Sequence, residues 1–248
     1  MYDIIGDIHG CTYELSLLLE KMGYEWDTFD GTIIYKPPDG RKAVFVGDLV
    51  DRGYSSATAY CLVRDMVRAG FALLCRGNHD DKFMRWAKGN NVILNHGLDK
   101  TTEDAGRMGL SKEGILDFLK NTPMYLSLDD GKLIVAHAAW RNSLKDKSPF
   151  DKKCRTWCLY GPTTGKTLEN GLPDRIDWAA ERKETEPLIV YGHQPYKEPR
   201  YLNGTYAIDT GCVFGGHLTA LRYPEMEIVQ IKANRTYDNS KPDISDDI

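Results

Sequence analysis

No run of apolar residues in this chain approaches the roughly 20 needed to cross a bilayer as a helix, so no helical membrane span is expected. A large charge imbalance is missing too. The formal net charge is −4, which argues against a bulk binder of nucleic acid or anionic membrane but allows a local basic pocket. Cysteine is sparse, with Cys11, Cys61, Cys75, Cys154, Cys158 and Cys212 scattered through apolar or helical contexts. Cys154 and Cys158 stand four apart, the spacing of one helical face rather than of a zinc knuckle. The reading is reduced thiols in a cytoplasmic protein, with neither a disulfide nor a structural zinc. No signal peptide is expected, because Tyr2 to Ile5 already reads as a strand and polar residues follow at once. No internal repeat and no linker divides the chain. One phosphate-cradling loop is nearly present and fails. Gly161-Pro162-Thr163-Thr164-Gly165-Lys166-Thr167 is one residue short of G-x-x-x-x-G-K-[ST] and has no strong apolar strand before it. A nucleotide-kinase P-loop is therefore rejected.

What is there is an ordinary globular composition. Apolar residues make up 42% and charged residues 27% of 248 residues, enough for one large α/β domain. The organising stretch is Gly47-Asp48-Leu49-Val50-Asp51-Arg52-Gly53. It follows the apolar run Ala43 to Val46, short and β-branched enough to be a buried strand. Two carboxylates and a guanidinium thus arrive at a strand's carboxyl end, where open α/β sheets bind ligands.

The same arrangement recurs. Tyr2 to Ile5 delivers Gly6-Asp7-Ile8-His9-Gly10. Asp7 and His9 are two apart, and an extended backbone would point them to one side. Phe71 to Cys75 delivers Arg76-Gly77-Asn78-His79-Asp80. Asn78 offers a neutral amide oxygen suited to a hard cation, and His79, pointing elsewhere, is left for proton transfer. Two further apolar strands end in His137 and His193. Asp7, His9, Asp48, Asn78, His137 and His193 then form one inventory of ligands drawn from five strand ends.

Between these clusters the spacing predicts helices over 11–22, 55–69 and 83–88, a hairpin insertion within 24–42, and a helical region over 97–122 that packs rather than caps. His96 reads as a surface or loop histidine. Asp209, after another short apolar stretch, is a candidate to reach the pocket. Residues 218–222 and 228–231 read as closing antiparallel strands. The domain is expected to span 1–234, and 235–248 to be a polar, acidic, disordered tail.

The donors are carboxylate, imidazole and amide, with no thiolate. This set favours Mn, Fe, Zn or Mg over a structural zinc. Six donors exceed the need of one ion, and a shared aspartate can serve two. Two ions about 3.5–4 Å apart suit phosphoryl displacement.

The run Gly-Asp-Ile-His-Gly, Gly-Asp-Leu-Val-Asp-Arg-Gly, Gly-Asn-His-Asp and two later strand-end histidines resembles the phosphoprotein phosphatase branch of the calcineurin-like metallophosphoesterases. The resemblance implies an α/β four-layer αββα sandwich of two mixed sheets flanked by helices, around a dinuclear centre. Carried onto matching positions, Asp7, His9 and Asp48 would hold one ion. Asp48, bridging, with Asn78, His137 and His193 would hold the other. His79 would protonate the leaving group, oriented by Asp51, and Arg52 would bind phosphate oxygens. The ions implied are Mn2+ first, with Fe, Zn, Ni or Mg as alternatives.

Tyr191-Gly192-His193-Gln194-Pro195, 208–216, Leu159-Tyr160-Gly161 and Asp177-Trp178-Ala179-Ala180 are similar to bacterial asymmetrical bis(5′-nucleosyl)-tetraphosphatases. That implies hydrolysis of diadenosine tetraphosphate to ATP and AMP. The alternatives are a protein Ser/Thr or Tyr phosphatase and a polynucleotide end phosphatase. The partner is then a dinucleoside polyphosphate or a phosphoprotein, with no membrane and no bulk nucleic acid; oligomeric state stays open. Ala139 stands where relatives often have Gly, and Tyr54 where Pro is common. Tyr54 is therefore a position for substrate choice, and Arg141 the candidate for the second phosphate-binding arginine.

Overall fold

The computed structural model describes residues 1–169 and 171–240. The chain opens with β1 (Tyr2–Ile5) and α1 (Thr12–Lys21), then the hairpin β2 (Glu25–Phe29) and β3 (Thr32–Lys36), β4 (Lys42–Phe45) and α2 (Ser56–Arg68). Next come β5 (Ala72–Leu74), α3 (Asn78–Ala87), α4 (Leu98–Arg107), α5 (Lys112–Lys120), β6 (Tyr125–Leu128), β7 (Leu133–Ala136) and α6 (Lys152–Tyr160). The hairpin β8 (Thr163–Thr167) and β9 (Pro173–Arg175), α7 (Trp178–Glu181), β10 (Leu188–Tyr191), β11 (Arg200–Leu202) and β12 (Thr205–Ala207) follow. Strands β13 (His217–Tyr223) and β14 (Glu227–Lys232) close it.

Two mixed sheets result, ordered β14-β13-β1-β4-β5 and β11-β12-β10-β7-β6. In the first, β1, β4 and β5 run parallel out to the β5 edge, and β13 and β14 are antiparallel on the other side. In the second, β7, β10 and β12 run parallel between antiparallel edges β6 and β11. The period of two along each strand sorts the apolar residues. Ile4, Val44, Val46, Leu133, Val135, Val190, Ile208 and Leu221 fill the space between the sheets. Ile5, Ala43 and Phe45 point the other way, onto α1, α2 and α3. Ile134, Ala136 and Ile189 face α6. This is the four-layer αββα sandwich expected. Each fully buried aliphatic side chain is worth about 1.5–3 kcal/mol, so the central layer sets how the sheets register.

Among the described residues no helix is long and apolar enough to cross a membrane. All six cysteines are buried and unpaired, with Cys154 and Cys158 on one face of α6. Thr163–Thr167 is an exposed strand of a small hairpin rather than a phosphate loop.

Two expectations need correction. The region 97–122 does more than pack: Thr101 of α4 donates its hydroxyl to Asp51 Oδ1 at 2.7 Å. The segment from Arg235 is not a loose tail over 235–240. Tyr237 donates its hydroxyl to the buried Glu14 Oε1 at 2.6 Å and its amide to Val213 O at 2.9 Å. One aromatic anchor outweighs the polar composition around it. The rest of that stretch, 241–248, lies outside the described residues.

Candidate metal centre

Four loops leave the carboxyl ends of β1, β4, β7 and β10, and α3 begins at the end of β5. They turn back sharply. His9 (φ 45°), Asp48 (50°), Asp51 (73°), Arg52 (65°) and His193 (73°) all lie in the left-handed region. Such residues cost about 1–3 kcal/mol each and collect where function demands them; Asp and His bear it better than most. The extended arrangement expected for Asp7 and His9 is thus wrong in detail. The left-handed turn at His9, not strand alternation, aims its imidazole.

Asp48 sits at the middle. Its Oδ2 lies 3.6 Å from His9 Nε2 and 3.3 Å from His137 Nε2. His137 Nε2 is also 2.9 Å from Asn78 Oδ1 and 3.1 Å from His193 Nδ1. Asp7 joins through its Oδ2, which accepts the His193 amide at 3.0 Å. All six predicted ligands therefore converge, from both sheets.

The donor set fits divalent cations, on three observations. His9 Nδ1 lies 2.9 Å from Val50 O and His137 Nδ1 3.2 Å from Val46 O. A carbonyl only accepts, so each ring donates from Nδ1 and turns the lone pair of Nε2 toward Asp48. Lone pairs of imidazole, carboxylate and amide oxygen then face one another across a few ångströms, an arrangement a cation satisfies. Second, Asp7 Oδ1 is buried and has no hydrogen-bond partner among the described residues. Third, the electrostatics lack a positive charge. Burial, then Asp209 and Asp48, push the Asp7 carboxyl well above its usual range. Burial also pushes His9 down to about 3, leaving it neutral, the form that ligates metals.

Close approach is built in at two glycines. A methyl group on Gly192 would run into Asp7 Oδ1, and one on Gly77 into the Asp48 carboxylate and amide.

Beside these donors stands a buried histidine–aspartate pair. His79 Nδ1 lies 2.6 Å from Asp51 Oδ2. Asp51 is fully buried and held by Thr101 through Oδ1, while its amide donates to Ser56 Oγ at 2.9 Å. Burial works against the imidazolium, yet Asp48 and Asp51 raise the His79 pKa above its ordinary value. Arg52 follows at once. Its guanidinium lies 5.3 Å from the Phe214 ring and pairs with Asp238 at 2.7 Å.

Other predicted residues are distributed. Asp209 is buried close enough to act on Asp7. Tyr54 is 46% exposed beyond Arg52. Arg141 is exposed over Trp157 at 4.5 Å, lining a separate cleft with Trp140 and Trp178. Sequence reasoning missed Asp80. Its two oxygens accept the amides of Asp48, Leu49 and Gly77 at 2.9–3.0 Å, tying the β4 loop to the start of α3. The signal was present: an acidic residue in a helix's first turn, three after Gly77. His96 is an exposed loop histidine, as expected; its ring centroid is 6.5 Å from that of His79 and its carbonyl accepts the Arg52 amide.

Comparison with known proteins agrees with this geometry. The family model "Calcineurin-like phosphoesterase" matches residues 2–223. The bis(5′-nucleosyl)-tetraphosphatase PrpE [asymmetrical] of Anoxybacillus flavithermus is 46% identical over 242 residues, 96% of each chain. Among solved structures, a protein serine/threonine phosphatase of Saccharomyces cerevisiae matches with a TM-score of 0.62 at 14% identity, over 94% of this chain and 79% of that one. A cold-active protein-tyrosine phosphatase of a Shewanella species matches with a TM-score of 0.60 at 18% identity, over 94% and 78%. At such identities these two share the fold alone. A family match over nearly the whole chain, together with the convergent histidine, carboxylate and amide side chains, leads to one conclusion: this chain belongs to the calcineurin-like phosphoesterase family and is a metal-dependent hydrolase.

Proposed function

We propose that this enzyme hydrolyses dinucleoside polyphosphates, cleaving diadenosine tetraphosphate to ATP and AMP. The observation that carries this reading is the 46% identity, end to end, with an enzyme named for that asymmetrical reaction. In our assignment Asp7, His9 and Asp48 hold one divalent ion, and Asp48, Asn78, His137 and His193 the other, with Mn2+ as the native metal. Such ions, when bound, supply Lewis acidity and lower the pKa of water from 15.7 toward about 7. The chain does the rest. Arg52 binds phosphate oxygens, and Arg141, in its separate cleft over Trp157, has no part in this role. Asp51 holds His79 through Nδ1 so that Nε2 faces the reaction. As water adds at phosphorus and the P–O bond to the leaving group breaks, His79 Nε2 gives its proton to the departing oxygen. Asp209 shapes the charge beside Asp7. The six buried thiols support a reducing, cytoplasmic setting.

The test is a panel of diadenosine tetraphosphate, a phosphopeptide and a 3′-phosphorylated oligonucleotide with the Mn2+-loaded protein, products resolved by chromatography. ATP plus AMP supports the proposal. Two ADP would make the cleavage symmetrical, and turnover of the phosphopeptide or the oligonucleotide alone would replace the substrate class.

Arg52 yields a second expectation. Asp238 occupies its guanidinium, and a phosphate must displace that carboxylate. Asp238→Asn is expected to lower KM for p-nitrophenyl phosphate by about twofold to fivefold, the worth of a part-exposed ion pair. An unchanged KM would mean that Arg52 binds phosphate without releasing Asp238.

A further inference from the structure

Next to the metal centre, on the side of Arg52, lies a cleft of about 550 Å³. Arg52, Tyr54, Lys100, Arg107, Arg235 and Tyr237 line it. No part of the metal centre needs these residues beyond Arg52. Their chemistry falls into two halves.

One half is charged, with Glu103 and Asp104 set among the cations. Arg107 is engaged with Glu103 and Asp104. Lys100 is exposed and forms no ion pair among the described residues. Arg52 already carries one anion, the Asp238 carboxylate at 2.7 Å. The other half is aromatic. Tyr54 and Tyr237 stack with centroids 5.1 Å apart at 28°. The Arg235 guanidinium lies 5.8 Å from one ring centre and 5.1 Å from the other. Tyr54 is fixed from behind, since its hydroxyl oxygen accepts the Tyr13 amide at 3.0 Å, while nearly half of its surface stays open.

The position of the cleft relative to the proton donor decides its role. Lys100 directly precedes Thr101, which holds Asp51, which holds His79. The cleft therefore adjoins the side on which a proton is handed to the departing oxygen. Where water adds at the phosphorus bound to an adenosine, the departing group is ATP, with three phosphates and a purine.

We infer that this cleft is the seat of the leaving nucleoside triphosphate. Arg52, Lys100 and Arg235 take the phosphate chain, the first of them by exchanging Asp238 for phosphate, and the exposed part of the Tyr54 ring takes the base. Arginine and lysine suit phosphate as charged donors, and a purine stacks on an aromatic ring regardless of its edge pattern. The inference rests on the proposed asymmetrical reaction, and it names where each part of that substrate lies.

The test measures inhibition of p-nitrophenyl phosphate turnover by ATP, AMP and inorganic tripolyphosphate, with the Mn2+-loaded full chain at fixed free Mn2+. Lys100→Ala with Arg235→Ala is expected to raise the inhibition constants of ATP and tripolyphosphate about tenfold. The AMP constant should move less than about twofold. Tyr54→Leu should raise the ATP constant about tenfold, the worth of one stacked base, and leave tripolyphosphate alone; Tyr54→Phe, which keeps the ring but loses the hydroxyl that holds it, should raise the ATP constant less than Tyr54→Leu does. If ATP and AMP constants shift together, or neither shifts, the inference is overturned. The reporter substrate keeps the two readings apart. Should the wild type fail to split diadenosine tetraphosphate into ATP and AMP, the functional reading falls while the inhibition constants still decide the cleft.

Discussion

Asp48→Asn will abolish turnover of every phosphoester offered to the enzyme, by at least about 10³-fold, and will do so through loss of bound metal. The substitution keeps shape and removes charge. That matters because the Asp48 carboxylate faces His9 and His137 together, at 3.6 and 3.3 Å. Its other oxygen accepts the His79 amide at 2.9 Å, which an amide oxygen can still do. The fold should therefore persist. Two measurements separate the effects. With the ions chelated, variant and parent should melt within a few degrees of each other. Adding Mn2+ should raise the parent's melting temperature and leave the variant's unmoved, because only a binding-competent native state is stabilised by ligand. Metal content by elemental analysis should fall with activity. Wild-type rates in the variant would refute the shared-carboxylate assignment.

His79→Ala will divide substrates by the quality of their leaving group. In the proposed mechanism it is a proton donor rather than a ligand, held by its 2.6 Å contact with Asp51. Alkyl phosphates, whose alkoxide leaves poorly, should lose about 10²–10⁴-fold in kcat, the usual contribution of general acid catalysis. p-Nitrophenyl phosphate, whose phenolate leaves unaided, should lose no more than about tenfold by the same reasoning. Metal content should stay at the wild-type level. If both substrate classes fall equally and metal is lost, His79 is a ligand after all. Asp51→Asn should give a milder version of the same split, since it leaves the ring in place but weakens its hold.

The strand-end clusters were readable because buried parallel strands show as short apolar runs, and polar residues appear abruptly at their ends. Asp7, Asp48, Asn78, His137 and His193 stood out for that reason, and so did the layered α/β architecture. Backbone that reverses direction was not readable. Nothing in the letters Ile8-His9-Gly10 announces a left-handed histidine, and the alternation rule pointed the wrong way. Asp80 was overlooked because its work is to accept backbone amides, which leave no side-chain pattern. Tyr237 and Asp238 sit in a stretch whose composition resembles a solvated tail. Their partners, Glu14 and Arg52, are more than 180 residues away in sequence, and only folding brings them near. Arg141 illustrates the converse: nearness to His137 in sequence did not keep it with the ligands.

The origin of the six donors has a further consequence. Asp7, His9, Asp48 and Asn78 come from loops of one sheet, while His137 and His193 come from the other. The centre is a seam, and an ion seated there would tie the two sheets at their rim. Neither sheet carries a full set. Affinity for the cation is thus also a gauge of interlayer alignment. A substitution deep between the sheets, at Val135 or Leu221 for instance, touches no donor, yet it would slacken that tie by letting one layer slide against the other.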